Sequence, residues 1–203
     1  MQRREGKPPS PPNGTPVLRG EKVVLRPKSV ADAFTDYTWR RDPELSRLDA
    51  ALPLVASYKD YLANYQDEFN YVDPRKLRFA IEVEGAHVGN CVLFNLDLSR
   101  GETEMGIMIG DRRYWNQGYG SDAIQTLLNY AFAHFGLRRI YLYTLEWNIR
   151  AQKCFQKCGF KARERVRHEG SSFIVMEVHR SEWEERQRRV ASAPQEKPGA
   201  SAS

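Results

Sequence analysis

The chain has 203 residues, 41% hydrophobic and 28% charged, a composition that suits one globular domain with a buried core. Its net charge of +5 sits at one end: residues 1–30 hold seven Lys/Arg against two Glu, leaving residues 31–203 neutral overall, so nucleic acid is not expected as a partner. No apolar stretch approaches the roughly 18 residues of a membrane span, and the three cysteines are odd in number and lack CxxC spacing, so no metal and no disulfide framework are expected.

Met1 to Pro12 is polar and proline-rich with no apolar stretch of the signal-peptide kind, which points to a cytoplasmic location. Residues 1–20 read as a disordered Pro-rich arm, 21–180 as the folded domain, and 181–203 as a helical turn with a disordered tail. Val23 to Arg26 reads as a strand, and the capping-box pattern from Ser29 to Asp32 opens a helix to about Arg41. Ser57 caps a second helix whose stripe is Tyr58, Tyr61, Leu62, Tyr65 and Phe69, read as core. Leu77–Glu84, His87–Leu96 and Glu102–Ile109 alternate as three strands, the first two joined at Gly85-Ala86.

A long helix follows Gly120. Ile124, Leu127, Leu128, Ala131, Phe132 and Phe135 share one face at helical spacing, and Gly136 ends the helix. Arg139–Leu145 reads as a strand, Ile149–Cys158 as a helix, and Lys161–Arg167 with Ser172–Val178 as a closing pair of strands. The fold class is therefore mixed α/β: an antiparallel meander, one strand–helix–strand crossover and a last hairpin.

The segment Gln117-Gly118-Tyr119-Gly120-Ser121 lies between a strand and a helix, where backbone N–H groups and the helix dipole suit a pyrophosphate. Gly118 to Ala123 also fits the dinucleotide fingerprint G-x-G-x-x-A, with Glu146 at the end of the next strand. Two observations count against that rival. Asp111 to Gln117 separate the strand from the first glycine, and the surrounding strands read as antiparallel rather than as repeated βαβ units.

Glu104 to Asp111, then Tyr114-Trp115, Gly118-Tyr119-Gly120 and Ala123, resemble the acetyl-CoA-binding motif of the GNAT-superfamily N-acyltransferases, most of all their RimJ/RimL-like branch. Asn148, Ala151 and Gly159-Phe160 are similar to that family's N-x-x-[SA]-x₇-G-F element, and Val23 to Pro27 followed by Asp32 resembles the branch's opening. The resemblance implies a mostly antiparallel sheet flanked by helices, whose fourth and fifth strands (Glu102–Ile109 and Arg139–Leu145) splay around acetyl-CoA. It implies that the backbone of Met108, Ile109 and Gly110 pairs with the pantetheine arm, that Gln117, Gly118, Tyr119, Gly120 and Ser121 hold the pyrophosphate, and that Asn148 touches the cofactor or places a water.

By the same resemblance the reaction is direct transfer of acetyl from acetyl-CoA to a primary amine in a ternary complex. The catalytic residues are then Glu104, as general base through water, and Asn148; Glu102 is the understudy. A surface or salt-bridged glutamate and a loop-forming asparagine are their bland alternatives. The tyrosine that often serves as acid in the family is Phe155 here, so no acid is assigned, and a CoA-binding sensor or inactive relative stays open as an alternative. An interaction module acting through the basic N-terminal arm is a third reading. Arg112, Arg113, Arg150 and Lys153 flank the phosphate region, and both Cys154 and Cys158 read as packing. The acceptor is a small-molecule amine or a protein N-terminus, bounded by the first two helices and the last hairpin, with Asp42, Glu44, Asp49, Asp67 and Glu68 as dispersed acids. A homodimer is allowed by family habit and is not written in these residues.

Overall fold

A computed structural model describes residues 15–71 and 73–192. The chain runs β1 (Leu18–Arg19), β2 (Val24–Pro27), α1 (Ala33–Arg41), α2 (Pro43–Leu48), α3 (Tyr58–Asn70), β3 (Leu77–Val83), β4 (Ala86–Asp97), β5 (Glu102–Ile109), α4 (Tyr119–His134), β6 (Arg139–Leu145), α5 (Ile149–Lys157), β7 (Lys161–His168), β8 (Ser171–His179) and α6 (Arg180–Ser192). One eight-stranded sheet has the order β1-β2-β3-β4-β5-β6-β8-β7. Every pairing is antiparallel except β5 with β6.

Local chemistry accounts for these boundaries. Ser29 N–H donates to the Asp32 carboxylate at 2.8 Å, but the capped segment begins as a short 3₁₀ turn before α1. The unforeseen helix α2 starts where Asp42 accepts from the N–H groups of Glu44 and Leu45, with Pro43 in the first turn. The β3–β4 hairpin turns on Glu84 and Gly85, both left-handed (φ +50° and +82°), one residue earlier than the sequence suggested. Glu169-Gly170 repeats the device between β7 and β8 (φ +46° and +80°).

The apolar stripe of α4 lies against one face of the sheet. Ile124, Leu127, Leu128, Ala131, Phe132 and Phe135 are each at most 1% exposed and pack with Leu25, Phe79, Ile81, Leu93, Met105, Ile140 and Leu142. At about 1.5–3 kcal/mol per fully buried large side chain, this layer supplies much of the driving force for folding. Residues read as a helical turn and tail form the 13-residue α6 up to Ser192. Trp183 stacks on Phe132 (centroids 5.3 Å apart), and Arg180 donates to the Leu137 carbonyl at 2.7 Å. At the other end the expected arm is outside the described residues as far as position 14, but Leu18 and Arg19 pair with Leu25 and Val24.

The opposite face carries α1 and α3 on a buried polar network. Arg26 binds Asp32 (2.7 and 3.0 Å) and Glu82 (2.7 Å); Lys28 binds Asp36 and Asn90; Tyr65 donates to Asp36 at 2.8 Å. Of the α3 stripe Tyr65 is buried and Tyr58, Tyr61, Leu62 and Phe69 are partly buried; ring centroids lie 5.2–5.6 Å apart from Tyr37 of α1 through Tyr61 and Tyr65 to Phe69. Trp39, on α1, reaches across to cover Gly110, where an added Cβ would lie 2.1 Å from the indole. Gly110→Ala is therefore expected to destabilise the fold by about 2 kcal/mol through overpacking, read as a lower urea midpoint. An unchanged midpoint would mean that Trp39 yields without cost.

Candidate active site

The parallel pairing of β5 and β6 covers three register positions only: Glu102 with Arg139, Thr103 with Ile140 and Glu104 with Tyr141. Beyond Glu104 the strands part. β6 keeps its other neighbour, β8, as far as Leu145, and β5 keeps β4 as far as Ile109. The facing edge of β5 from Met105 onward is thus open where it approaches the start of α4 and α5.

That opening is a cleft of about 420 Å³ whose wall includes Met108, Ile109, Trp115, Gly118, Gly120, Ser121, Asn148, Ala151, Cys154 and Phe155. Gly118 caps α4 in the left-handed region (φ +87°), a conformation that glycine adopts without strain. Asn116 is left-handed as well (φ +59°), so the connector folds back before the helix begins. The result is a helix N-terminus whose first amides have no intrahelical acceptor, next to an unpaired strand edge.

Of the sequence-derived binding residues, Met108, Ile109, Gly118, Gly120, Ser121 and Asn148 line the cleft. Gly110 lies buried under Trp39, and its N–H donates to the Val88 carbonyl at 2.9 Å. The Gln117 side chain turns back to the Arg113 carbonyl, and the Tyr119 ring packs edge-on against Tyr114 at 5.5 Å. The Ile109 carbonyl accepts the Trp115 indole N–H at 2.7 Å. Asn148 caps α5, its side-chain oxygen accepting from Ala151 N–H at 3.2 Å while the residue faces the cleft.

Glu104 stands at the last register pair before the strands separate, outside the cleft wall. Its carboxylate is half-buried and accepts one side-chain hydrogen bond, from the Asn95 amide at 3.1 Å. Asn95 is left-handed (φ +53°) at a β-bulge between Phe94 and Asp97, which turns its amide toward β5. Loss of solvent pushes the Glu104 carboxyl above its usual range, and the Asn95 bond offsets this in part. Arg139 does not neutralise it, because that guanidinium is held by Glu102 (3.0 Å) and Glu177.

The other candidates sort by partner. Arg112 is tied to Asp42 (2.7 Å) and Glu44 (2.9 Å), and Arg113 to Asp111 (2.6 Å). Arg150 stacks on Trp115, 3.6 Å from the ring centroid, and Lys153 and Lys157 reach the cleft wall. Of the dispersed acids, Asp49 pairs with Arg40 (3.0 Å) and Glu68 with Arg78, so few are left to attract an amine. Phe155 is buried against Phe160, and Cys158 is buried too; Cys154 is not only packing, since its sulfur faces the cleft 3.3 Å from Ser121 Oγ. Sequence reasoning missed Asn95 and Lys22: the first depends on the bulge, the second on where the N-terminal strand lies. Lys22 Nζ donates to the Gln117 carbonyl at 3.1 Å.

The sequence model described as "Acetyltransferase (GNAT) domain" matches residues 22–161, more than half of the chain. The chain belongs to the GNAT acetyltransferase family. It is 28% identical over 127 residues to the uncharacterized N-acetyltransferase p20 of Bacillus licheniformis, covering 61% of this chain and 70% of that protein. Over 160 residues it is 29% identical to the alpha/beta-tubulin-N-acetyltransferase 9 of Mus musculus, covering 73% and 66%. Its fold is similar to that of a spermidine N-acetyltransferase from Vibrio cholerae in complex with CoA and spermine, with a TM-score of 0.70, 19% identity, and 80% and 98% of the two chains covered.

As a GNAT protein the chain is an acyl-CoA-dependent acetyltransferase, and the dinucleotide reading of the glycine turn falls. The sheet has one parallel pair rather than a doubly wound core, and Glu146 is ion-paired with Arg165. Among the described residues no cluster of three or more His, Cys, Asp or Glu could hold a metal ion, and no helix is long and apolar enough to cross a membrane. The GNAT cleft also exposes one thiol to chemistry. The neighbouring Cys158 thiol lowers the titration of Cys154 and the Ser121 hydroxyl adds to this, while burial raises Cys91 and the same thiol pairing raises Cys158. Iodoacetamide near pH 7 is expected to label Cys154 ahead of the other two, measured by peptide mass spectrometry. Labelling of Cys91 or Cys158 first would contradict this description of the cleft wall.

Proposed function

We propose that this enzyme, a member of the RimJ/RimL-like branch acting in the cytoplasm, transfers acetyl from acetyl-CoA directly to a primary amine in a ternary complex. The observation that carries the proposal is the open β5 edge running into the glycine turn at the start of α4. The residues fit the donor: the edge from Met105 to Ile109 has main-chain groups without a strand partner, Gly118 and Gly120 let a ligand approach the helix amides, and the cleft walls are partly apolar. When bound, acetyl-CoA supplies the acetyl group as a thioester.

In this reading the main chain of Met108 and Ile109 aligns the pantetheine arm by strand-like pairing, with Gly110 closing the strand under Trp39. The amides of Gln117, Gly118, Tyr119, Gly120 and Ser121 hold the diphosphate. Asn148 keeps its oxygen on the α5 cap and offers its amide N–H groups to the cleft. Glu104 takes the proton that an incoming ammonium must lose, through water. A desolvated carboxylate without a cation partner suits that role, and it also favours an acceptor that arrives charged. Tyr141 and the half-exposed Tyr143 stand beside it as an aromatic wall for the acceptor. Phe155 can donate no proton, and a thiol of pKa near 8.5 departs as thiolate without a side-chain acid.

The acceptor in this reading is a small-molecule amine or a protein N-terminus, a range supported by a structural neighbour named for spermidine and a relative named for tubulin. Screening polyamines, aminoglycosides, amino acids and N-terminal peptides with acetyl-CoA by mass spectrometry tests the transfer. An acylated amine with release of free CoA supports it, whereas CoA binding with no product from any acceptor would favour a sensor. With the amine in hand, Glu104→Gln is expected to lower kcat/KM about 100-fold near pH 7. The wild-type rate should climb with pH through the raised titration of Glu104, because the base works only when ionised. The variant should lack that limb and recover as pH nears the amine's own pKa. Equal rates for the two proteins across pH would remove Glu104 from the mechanism.

A further inference from the structure

We propose that Lys22 is a coenzyme-binding residue, its ammonium contacting the diphosphate held at the start of α4. This rests on the reading that the glycine turn holds coenzyme A, and it adds a charged side chain from 95 positions earlier in the chain to what is otherwise a main-chain cradle.

The placement of Lys22 is heavily determined. Asp122, in the first turn of α4, accepts from three successive N–H groups: Glu21 (3.1 Å), Lys22 (2.7 Å) and Val23 (3.0 Å). Gly20 N–H closes the same bend onto the Val23 carbonyl at 2.9 Å. A side chain at Gly20 would put its first carbon 2.4 Å from Asp122 Oδ2, so the bend lies directly on the helix. The three donors absorb the negative charge of Asp122, which would otherwise repel a phosphate next to it.

The Lys22 side chain, fixed at its base, reaches the turn itself. Nζ is 3.1 Å from the Gln117 carbonyl, 3.3 Å from where a Cβ on Gly118 would stand, and 6.0 Å from the centroid of the Tyr119 ring. Among the described residues no carboxylate lies within ion-pair distance of it. Arg112 and Arg113, nearer in sequence to the turn, are committed to acids and Arg150 to an indole, while Lys153 and Lys157 reach the cleft from α5, on a different side from Lys22 on the β1–β2 bend. A carbonyl is a weaker partner for an ammonium than a phosphate, so a bound diphosphate would draw Nζ away from Gln117 or share it.

Calorimetric titration of the full chain with CoA and with dephospho-CoA tests the assignment. Lys22→Met should weaken both ligands about tenfold, the loss of one charge-assisted contact, and the gap should shrink in about 0.5 M salt as the interaction is screened. Lys22→Arg should stay within about threefold of the parent, because the charge is kept. The melting temperature of the ligand-free Lys22→Met protein should match the parent, which separates a lost contact from a loosened N-terminal strand. Undiminished binding of both ligands in Lys22→Met would overturn the assignment. A loss seen with CoA and absent with dephospho-CoA would overturn it too, by moving the contact to the 3′-phosphate. If the unaltered protein binds no CoA, the underlying coenzyme reading itself fails; if it binds and Lys22→Met binds equally, only the role of Lys22 does.

Discussion

The parting of β5 from β6 after Glu104 is the constraint on which the rest of the molecule turns. A strand edge left open inside a fold has main-chain donors and acceptors that need water or a ligand, since buried unpaired groups are costly. Several contacts keep this edge from closing. The Val88 carbonyl accepts from both Gly110 and Asp111, holding the end of β5 toward β4, and the Trp39 ring lies over Gly110 from the far side. Trp115 fastens the connector by its bond to Ile109. β6, meanwhile, follows β8 and then turns at Asn148 into α5. The two strands diverge because each has a better partner on its outer side.

Charge pairing sharpens the same picture. Most ionic side chains near the cleft are satisfied by one another: Arg112 by Asp42 and Glu44, Arg113 by Asp111, Arg139 by Glu102 and Glu177, and Lys28 by Asp36. Such pairs contribute little net stability at the surface, and buried ones serve orientation more than free energy. They decide which charges are left over. Glu104 has an amide for company and no cation; Lys22 has a carbonyl and no carboxylate. Glu104 lies at the apex of the strand opening and Lys22 at the glycine turn, while Lys153 and Lys157, also without a carboxylate partner among the described residues, line the cleft from α5.

Much of this was readable along the chain. The stripe of α4 emerges from helical spacing alone, because a periodic apolar face has one way to be buried, and the glycines at 118 and 136 mark its two ends with left-handed backbone. The mixed sheet and its single crossover follow from strand lengths and turn chemistry. Less legible were α2, whose six residues carry too short a pattern to declare themselves, and the hairpin turn, displaced by one residue because Glu84 takes a left-handed conformation that favours glycine. The length of α6 was missed because its packing partners, Phe132 and Leu137, lie some fifty residues earlier.

Local pattern therefore specified the elements and the position of the turn, since caps, glycines and periodicity act over a few neighbouring residues. Which side chains remain unpaired was settled by the assembled fold. Asn95 meets Glu104 because a bulge rotates it, Gly110 is required by a tryptophan 71 positions away, and Lys22 reaches Gln117 because Asp122 gathers three amides from the bend between β1 and β2. Such contacts join residues distant along the chain, and only burial of the common core brings them within hydrogen-bonding reach.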